Sequence, residues 1–123
     1  MKMKEVVVYS CSGCSNVAQL ANNIAVKMQR NHIAKMSCIA GIGGDVRAIL
    51  KIAQNAEMIL ALDGCPLQCA KNCLKRHNFK IDAHLVLTEY GLSKNTNEDV
   101  SSESFEKVYN ETCHIVEELK NSK

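Results

Sequence analysis

Apolar positions along this chain fall into two patterns. Short unbroken aliphatic runs alternate with longer stretches in which apolar residues recur every three or four positions. Val6-Val7-Val8-Tyr9, inside Glu5–Ser10, is β-branched and predicts a buried strand. Over Ser15–Arg30, Val17, Leu20, Ala21, Ile24, Ala25 and Met28 share one helical face, and Ser15 suits the N-cap. Ile33–Ala40 reads as a second strand, and Gly41-Ile42-Gly43-Gly44 as a tight turn after it. A second helix is expected over Asp45–Ala56, with Val46, Ile49, Leu50 and Ala53 on one face. Met58-Ile59-Leu60-Ala61-Leu62, within Glu57–Asp63, predicts a central strand broken by Gly64. Pro66 would then open a third helix reaching His77, since proline suits the first helical position. Ile81–Thr88 is the fourth strand candidate. Ser93–Ser104 is almost wholly polar and reads as an exposed linker, and Phe105–Lys120 as an amphipathic last helix.

The order β-α-β-α-β-α-β-loop-α implies an α/β fold with a small, mostly parallel four-stranded sheet and helices on both faces. Crossovers should be right-handed, with strand order 2-1-3-4. The expectation is one three-layer, Rossmann-like domain over residues 1–123. Its core covers about 4–92, followed by the polar loop 93–104 and the helix 105–120.

Composition narrows the partners. The 123 residues suit one domain able to bury about two-thirds of its unfolded surface. Fifteen basic against thirteen acidic residues leave a net charge of +2. That balance predicts no nucleic-acid partner. No apolar run approaches the ~20 residues of a membrane span, and Val6–Tyr9 is too short for the core of a signal peptide. A cytoplasmic setting, in which thiols stay reduced, is therefore expected.

In such a setting the seven cysteines (Cys11, Cys14, Cys38, Cys65, Cys69, Cys73 and Cys113) are unusual. An odd number argues against a disulfide framework and for metal or redox chemistry. Ligands of open parallel sheets sit beyond the carboxyl ends of the strands. Cys11 and Cys14 follow the first predicted strand, Cys38 ends the second, Cys65 follows the third, and Cys69 lies a turn later. Five thiols from three distant segments thus converge on one edge. Cys11-Ser-Gly-Cys14 can bring two sulfurs to one ion. Cys65 and Cys69 would share a face as i and i+4 on a helix, and Cys73 would extend that face. Leu67, Ala70 and Leu74 point elsewhere, toward the sheet. Unpaired amides at helix starts favour thiolate at Cys14 and Cys65. Four thiolates make a closed zinc site, and iron–sulfur clusters use the same ligands. Packing alone suffices to explain Cys113, which flanks the apolar stripe of the last helix.

The remaining features carry less. Gly41–Gly44 lacks the lysine and spacing of a phosphate loop. Asp63 is expected to hydrogen-bond a turn. His32, His77, His84 and His114 show no metal spacing and are expected on the surface, as are the charges of the last helix.

Three segments, Cys11-Ser-Gly-Cys-Ser-Asn-Val17, Cys38-Ile-Ala-Gly-Ile-Gly-Gly44 and Asp63-Gly-Cys-Pro-Leu-Gln-Cys-Ala-Lys71, together resemble the DGC-domain family, named for its Asp-Gly-Cys motif. The resemblance runs from about Val6 to Lys94. It implies a small prokaryotic protein binding zinc through four cysteines, which here would be Cys11, Cys38, Cys65 and Cys69. Cys14 stands where relatives usually carry a small residue without a thiol, so it is a reserve ligand or a redox partner. The resemblance supplies no activity.

Three chemistries compete. The first is a non-catalytic all-cysteine zinc site, in which no position remains open for a reactive water. The second is a thiol-redox protein using Cys11 and Cys14. Phosphate-ester hydrolysis is disfavoured, because the strand–Cys–loop–helix phosphatases need an arginine six residues after the nucleophile, and here that residue is Val17. The third is an iron–sulfur electron carrier or a metal-delivery protein.

Overall fold

The computed structural model describes residues 3–122; Met1, Lys2 and Lys123, counted in the single domain above, lie outside the described residues. Strands β1 (Val6–Ser10), β2 (Lys35–Met36), β3 (Met58–Asp63) and β4 (Ala83–Val86) form one sheet in the order β2-β1-β3-β4. All three pairings are parallel. Helices α1 (Asn16–Arg30), α2 (Ile39–Gly43), α3 (Arg47–Asn55), α4 (Cys69–Arg76) and α5 (Ser102–Lys120) cover it. The predicted α/β class, parallel pairing and strand order are those observed.

The unbroken apolar runs are explained by burial on both faces. Val6, Val8, Leu60 and Leu62 point to one side, where Leu20, Ile24 and Met28 of α1 and Val108 and Val116 of α5 meet them. Val7, Tyr9, Ile59 and Ala61 point to the other and meet Ile42 of α2, Ala53 of α3 and Leu74 of α4. Each fully buried aliphatic side chain stabilises the fold by about 1.5–3 kcal/mol. Ser15 caps α1 as predicted, its hydroxyl accepting from the Ala18 amide at 3.2 Å.

Several boundaries differ from the expectation. The last helix begins at Ser102, capped by Ser101, and so takes the end of the segment read as the 93–104 loop. Only Lys35 and Met36 pair with β1, so the predicted strand Ile33–Ala40 is far shorter. Its end and the expected glycine turn together form α2, with Cys38 as N-cap. Gly41 allows this, because a Cβ there would fall 2.6 Å from Ile49 Cγ1. The third helix begins at Cys69 and not at Pro66, because Gln68 takes a left-handed conformation (φ 56°) that no helix can include. Pro66 and Leu67 lie in the preceding turn, and Leu67 is 66% exposed instead of packed on the sheet. The fourth strand ends at Val86, where the chain turns through a 3-10 segment, Leu87–Tyr90.

Gly64 marks the closest approach in the fold. A Cβ there would lie 2.6 Å from the Val17 carbonyl carbon and 2.7 Å from the Ala18 nitrogen, both backbone atoms of α1. The end of β3 is therefore pressed directly on the first turn of α1. Gly64→Ala should destabilise the chain by about 1–3 kcal/mol in urea unfolding, as overpacking against backbone does. Gly43→Ala is the control. Its Cβ would meet only Cys73 Sγ at 3.5 Å, so it should be neutral or slightly stabilising.

Candidate thiol site

Cys11 is held by the strand it follows. Its amide donates to the Leu62 carbonyl at 3.0 Å, extending the β1–β3 ladder by one residue. Its thiol is turned inward, and the residue is 8% exposed. Because Gly64 sits so close to α1, its amide reaches Cys11 and donates to the sulfur at 3.2 Å. The chain then passes through Gly13 (φ 146°) to the Ser15 cap, leaving Cys14 exposed on the loop. Gln19 ties this loop down by donating from Nε2 to the Gly13 carbonyl at 2.7 Å.

A second loop faces the first. Cys65 opens a turn closed by the Gln68 amide donating to the Cys65 carbonyl at 3.1 Å. Cys65 therefore does not lie on a helix, and the i, i+4 argument for Cys65 and Cys69 does not apply. Cys69 is the first residue of α4 and is exposed. Gln68 gives α4 no side-chain cap; Asp63 supplies it from the end of β3. Its Oδ1 accepts from the Ala70 amide at 2.8 Å and its Oδ2 from the Lys71 amide at 3.1 Å. The carboxylate is 1% exposed and also meets His84 Nε2 at 2.8 Å. Asp63 thus pins the helix that starts at Cys69.

Cys11, Cys14, Cys65 and Cys69 line one cleft of about 210 Å³ together with Asp63, Lys94 and Thr96. Lys94 Nζ stands 3.5 Å from Cys65 Sγ. Cys38 does not line this cleft; it is exposed at the start of α2, at the same sheet edge. Cys73 is half-buried beside the α2–α4 core, and Cys113 half-buried against the α5 side. Among the described residues, no three His, Cys, Asp or Glu side chains are gathered closely enough to hold a metal ion. The four thiols share the cleft as an open set.

Burial pushes the Cys11 thiol up to about 11. The Gly64 amide works against this, while the charges of Asp63, Cys69 and Cys65 add to it. Without a metal, Cys11 is therefore a neutral thiol at pH 7, which disfavours it as a free nucleophile. The Cys73 thiol is also raised, first by burial, with Cys69 and Asp63 adding and Arg76 opposing.

Sequence reasoning missed two participants, His84 and Lys94, and misplaced His77, which lies away from the cleft. His84 and His77, expected on the surface, are both largely covered. His84 is held by Asp63, and His77 Nε2 lies 3.0 Å from the Ile42 carbonyl and 2.9 Å from an Asp45 carboxylate oxygen. Lys94 was hidden in a segment read as linker. Its one sequence signal was a position at the end of the family-like stretch.

Two measurements test this geometry. Asp63→Ala leaves two helix amides and His84 without their acceptor, so it should cost about 3 kcal/mol in urea unfolding. Amide exchange should accelerate first at Ala70 and Lys71. Cys11 should make stability pH-dependent in alkali. An unfolded cysteine ionises near pH ~8.5 and the folded thiol only at about 11. The folded state's advantage is then whole below the first value and lost as pH rises through the second. The stability difference between wild type and Cys11→Ala, measured from pH 7 to 11 without metal, should shrink over that interval.

Comparison with known proteins agrees with the motif spacing. Residues 7–112 match the DGC domain. A Pseudomonas aeruginosa protein described as the anaerobic and virulence modulator AnvM is 52% identical over 103 residues, covering 84% of this chain and 79% of the relative. No solved structure gives a significant match. With the match spanning both Cys11 and the Asp63-Gly64-Cys65 turn, this chain belongs to the DGC-domain family.

Proposed function

We propose that the cleft binds a thiophilic metal ion, zinc, and that this binding serves a modulating, non-catalytic role. The observation that carries the reading is the convergence of four thiols from two separate loops on one small cleft. Two of the sulfurs already face groups that favour sulfur anions. The Gly64 amide donates to Cys11, and the Lys94 ammonium lies beside Cys65. In kind, this donor set fits zinc or an iron–sulfur centre, both of which take thiolates.

The ligands we assign are Cys11, Cys65, Cys69 and Cys14. Cys38, the fourth cysteine implied by the family resemblance, is outside the cleft lining. Because the set is open, uptake of the ion has to be coupled to movement of the exposed Cys14 and Cys69, and it releases the Cys11 proton. The ion's contribution when bound is to tie the Ser12–Ser15 loop to the Cys65–Cys69 turn. A relative described as a modulator of anaerobic and virulence behaviour suits a protein whose loops are ordered by metal or redox state.

The test is metal analysis of protein purified without oxygen, with an absorption spectrum and a thiol count on the same sample. About one zinc per chain with four protected thiols is the expected result. Cys14→Ser should weaken zinc binding at least tenfold, and Cys38→Ser should leave it within about threefold. The reverse order would restore Cys38 to the ligand set. Iron with a brown colour would replace zinc by a cluster. No metal and a reversible Cys11–Cys14 disulfide would replace the metal reading by a thiol-redox one.

A further inference from the structure

Residues 93–97, expected to be part of an exposed linker, are fastened across the thiol cleft. Asn16, the first residue of α1 and 9% exposed, does the fastening. Its backbone amide donates to the Asn95 carbonyl at 2.7 Å. Its side-chain oxygen accepts from the Asn95 amide at 2.7 Å. Its Nδ2 donates to the Ser93 carbonyl at 2.9 Å. The first amide of a helix has no partner inside the helix, and here the strap supplies one. Every hydrogen-bonding group of the Asn16 side chain is engaged, its oxygen also accepting from the Val17 amide at 2.8 Å. Asn95 further stiffens the strap, its own side chain accepting from the Asn97 amide at 2.8 Å.

The consequence lies one residue either side of Asn95. Lys94 and Thr96 both line the cleft, and Lys94 reaches Cys65. An exposed lysine on a free loop would sample many positions; this one is delivered by a backbone held at three points. The cleft is open to solvent on the side of the exposed Cys14 and Cys69, and its volume, about 210 Å³, is below the ~300–1,000 Å³ of sites that take cofactor-sized ligands.

We infer that Asn16 is a latch: it holds the 93–97 strap across the cleft so that only a single ion or a comparably small solute reaches Cys11 and Cys65. The inference rests on this cleft being the functional site and adds its entrance and its size selectivity. Asn16 touches no ligand. It is a positioning residue acting through the strap.

The test compares two thiol reagents on protein kept in chelator, with modified cysteines mapped by mass spectrometry. One is small, methyl methanethiosulfonate; the other is bulky and neutral, pyrenyl maleimide. The small-to-bulky rate ratio at Cys65 and Cys11 should exceed that at Cys38, which lies outside the cleft, by at least tenfold. In Asn16→Ala the ratio at Cys65 and Cys11 should fall to that of Cys38, with Cys113 unchanged. A general loosening of the fold would instead raise Cys113 as well. Asn95→Pro, which removes the amide donated to Asn16 and the strap's own bond from Asn97 while leaving Asn16 intact, then decides and should give the same loss of selectivity. Wild-type ratios at Cys65 equal to those at Cys38, or ratios unmoved in a folded latch variant, overturn the inference. Because the chelator excludes metal, the result holds whether or not the chain takes up zinc. Absence of zinc binding would remove the metal reading and leave the latch standing.

Discussion

The site depends on one buried carboxylate. Asp63 ends β3, is almost fully enclosed, and gathers two of the free amides of α4 and the imidazole of His84. A charge removed from water is tolerable only with such partners. Satisfying them determines where α4 can begin. That in turn closes Gly64–Gln68 into a short loop with one thiol near each end. The next residue, Gly64, completes the arrangement by lying on the backbone of α1. Strand, helix and both thiol-bearing loops are thus set by two consecutive residues, and the third residue of the same motif, Cys65, is presented to the cleft.

Much of this was legible in the sequence. The continuous runs at Val6–Tyr9 and Met58–Leu62 read as strands buried on both faces, and their alternation with amphipathic stretches pointed to a parallel sheet with two helical layers. The rule that such sheets present their loops at one edge brought five thiols together, of which Cys11, Cys14, Cys65 and Cys69 share the cleft and Cys38 does not. Helix α1 was read correctly because its stripe is long and Ser15 is a good cap. The failures were local. Pro66 is a strong helix-start signal, but it could not outweigh a capping carboxylate arriving from a strand three residues upstream. Cys38-Ile-Ala-Gly-Ile-Gly-Gly44 carries glycines that read as a turn. In the structure they let a short helix pack closely on α3.

The least legible part was polar. Nothing in the spacing of Ser93-Lys-Asn-Thr-Asn97 marks it as anything but a linker, because its order comes from Asn16, more than seventy residues earlier in the chain. Hydrophobic periodicity reports burial of side chains and is blind to hydrogen bonds between a side chain and a distant backbone. His84 was missed for the same reason, since its partner is defined by strand register and not by sequence separation. Cys11 shows the complementary limit. Its pairing with Cys14 suggested a redox-active thiol, yet its burial raises the thiol instead.

The brevity of β2 has an effect beyond the site. Lys35 and Met36 are its only paired residues, and Lys35 is exposed. An outer strand this short, carrying a charged side chain, offers too few free amides and carbonyls for another chain to add alongside it. Unwanted sheet extension is thereby discouraged on that side. The opposite margin, β4, is the longer of the sheet's two outer strands.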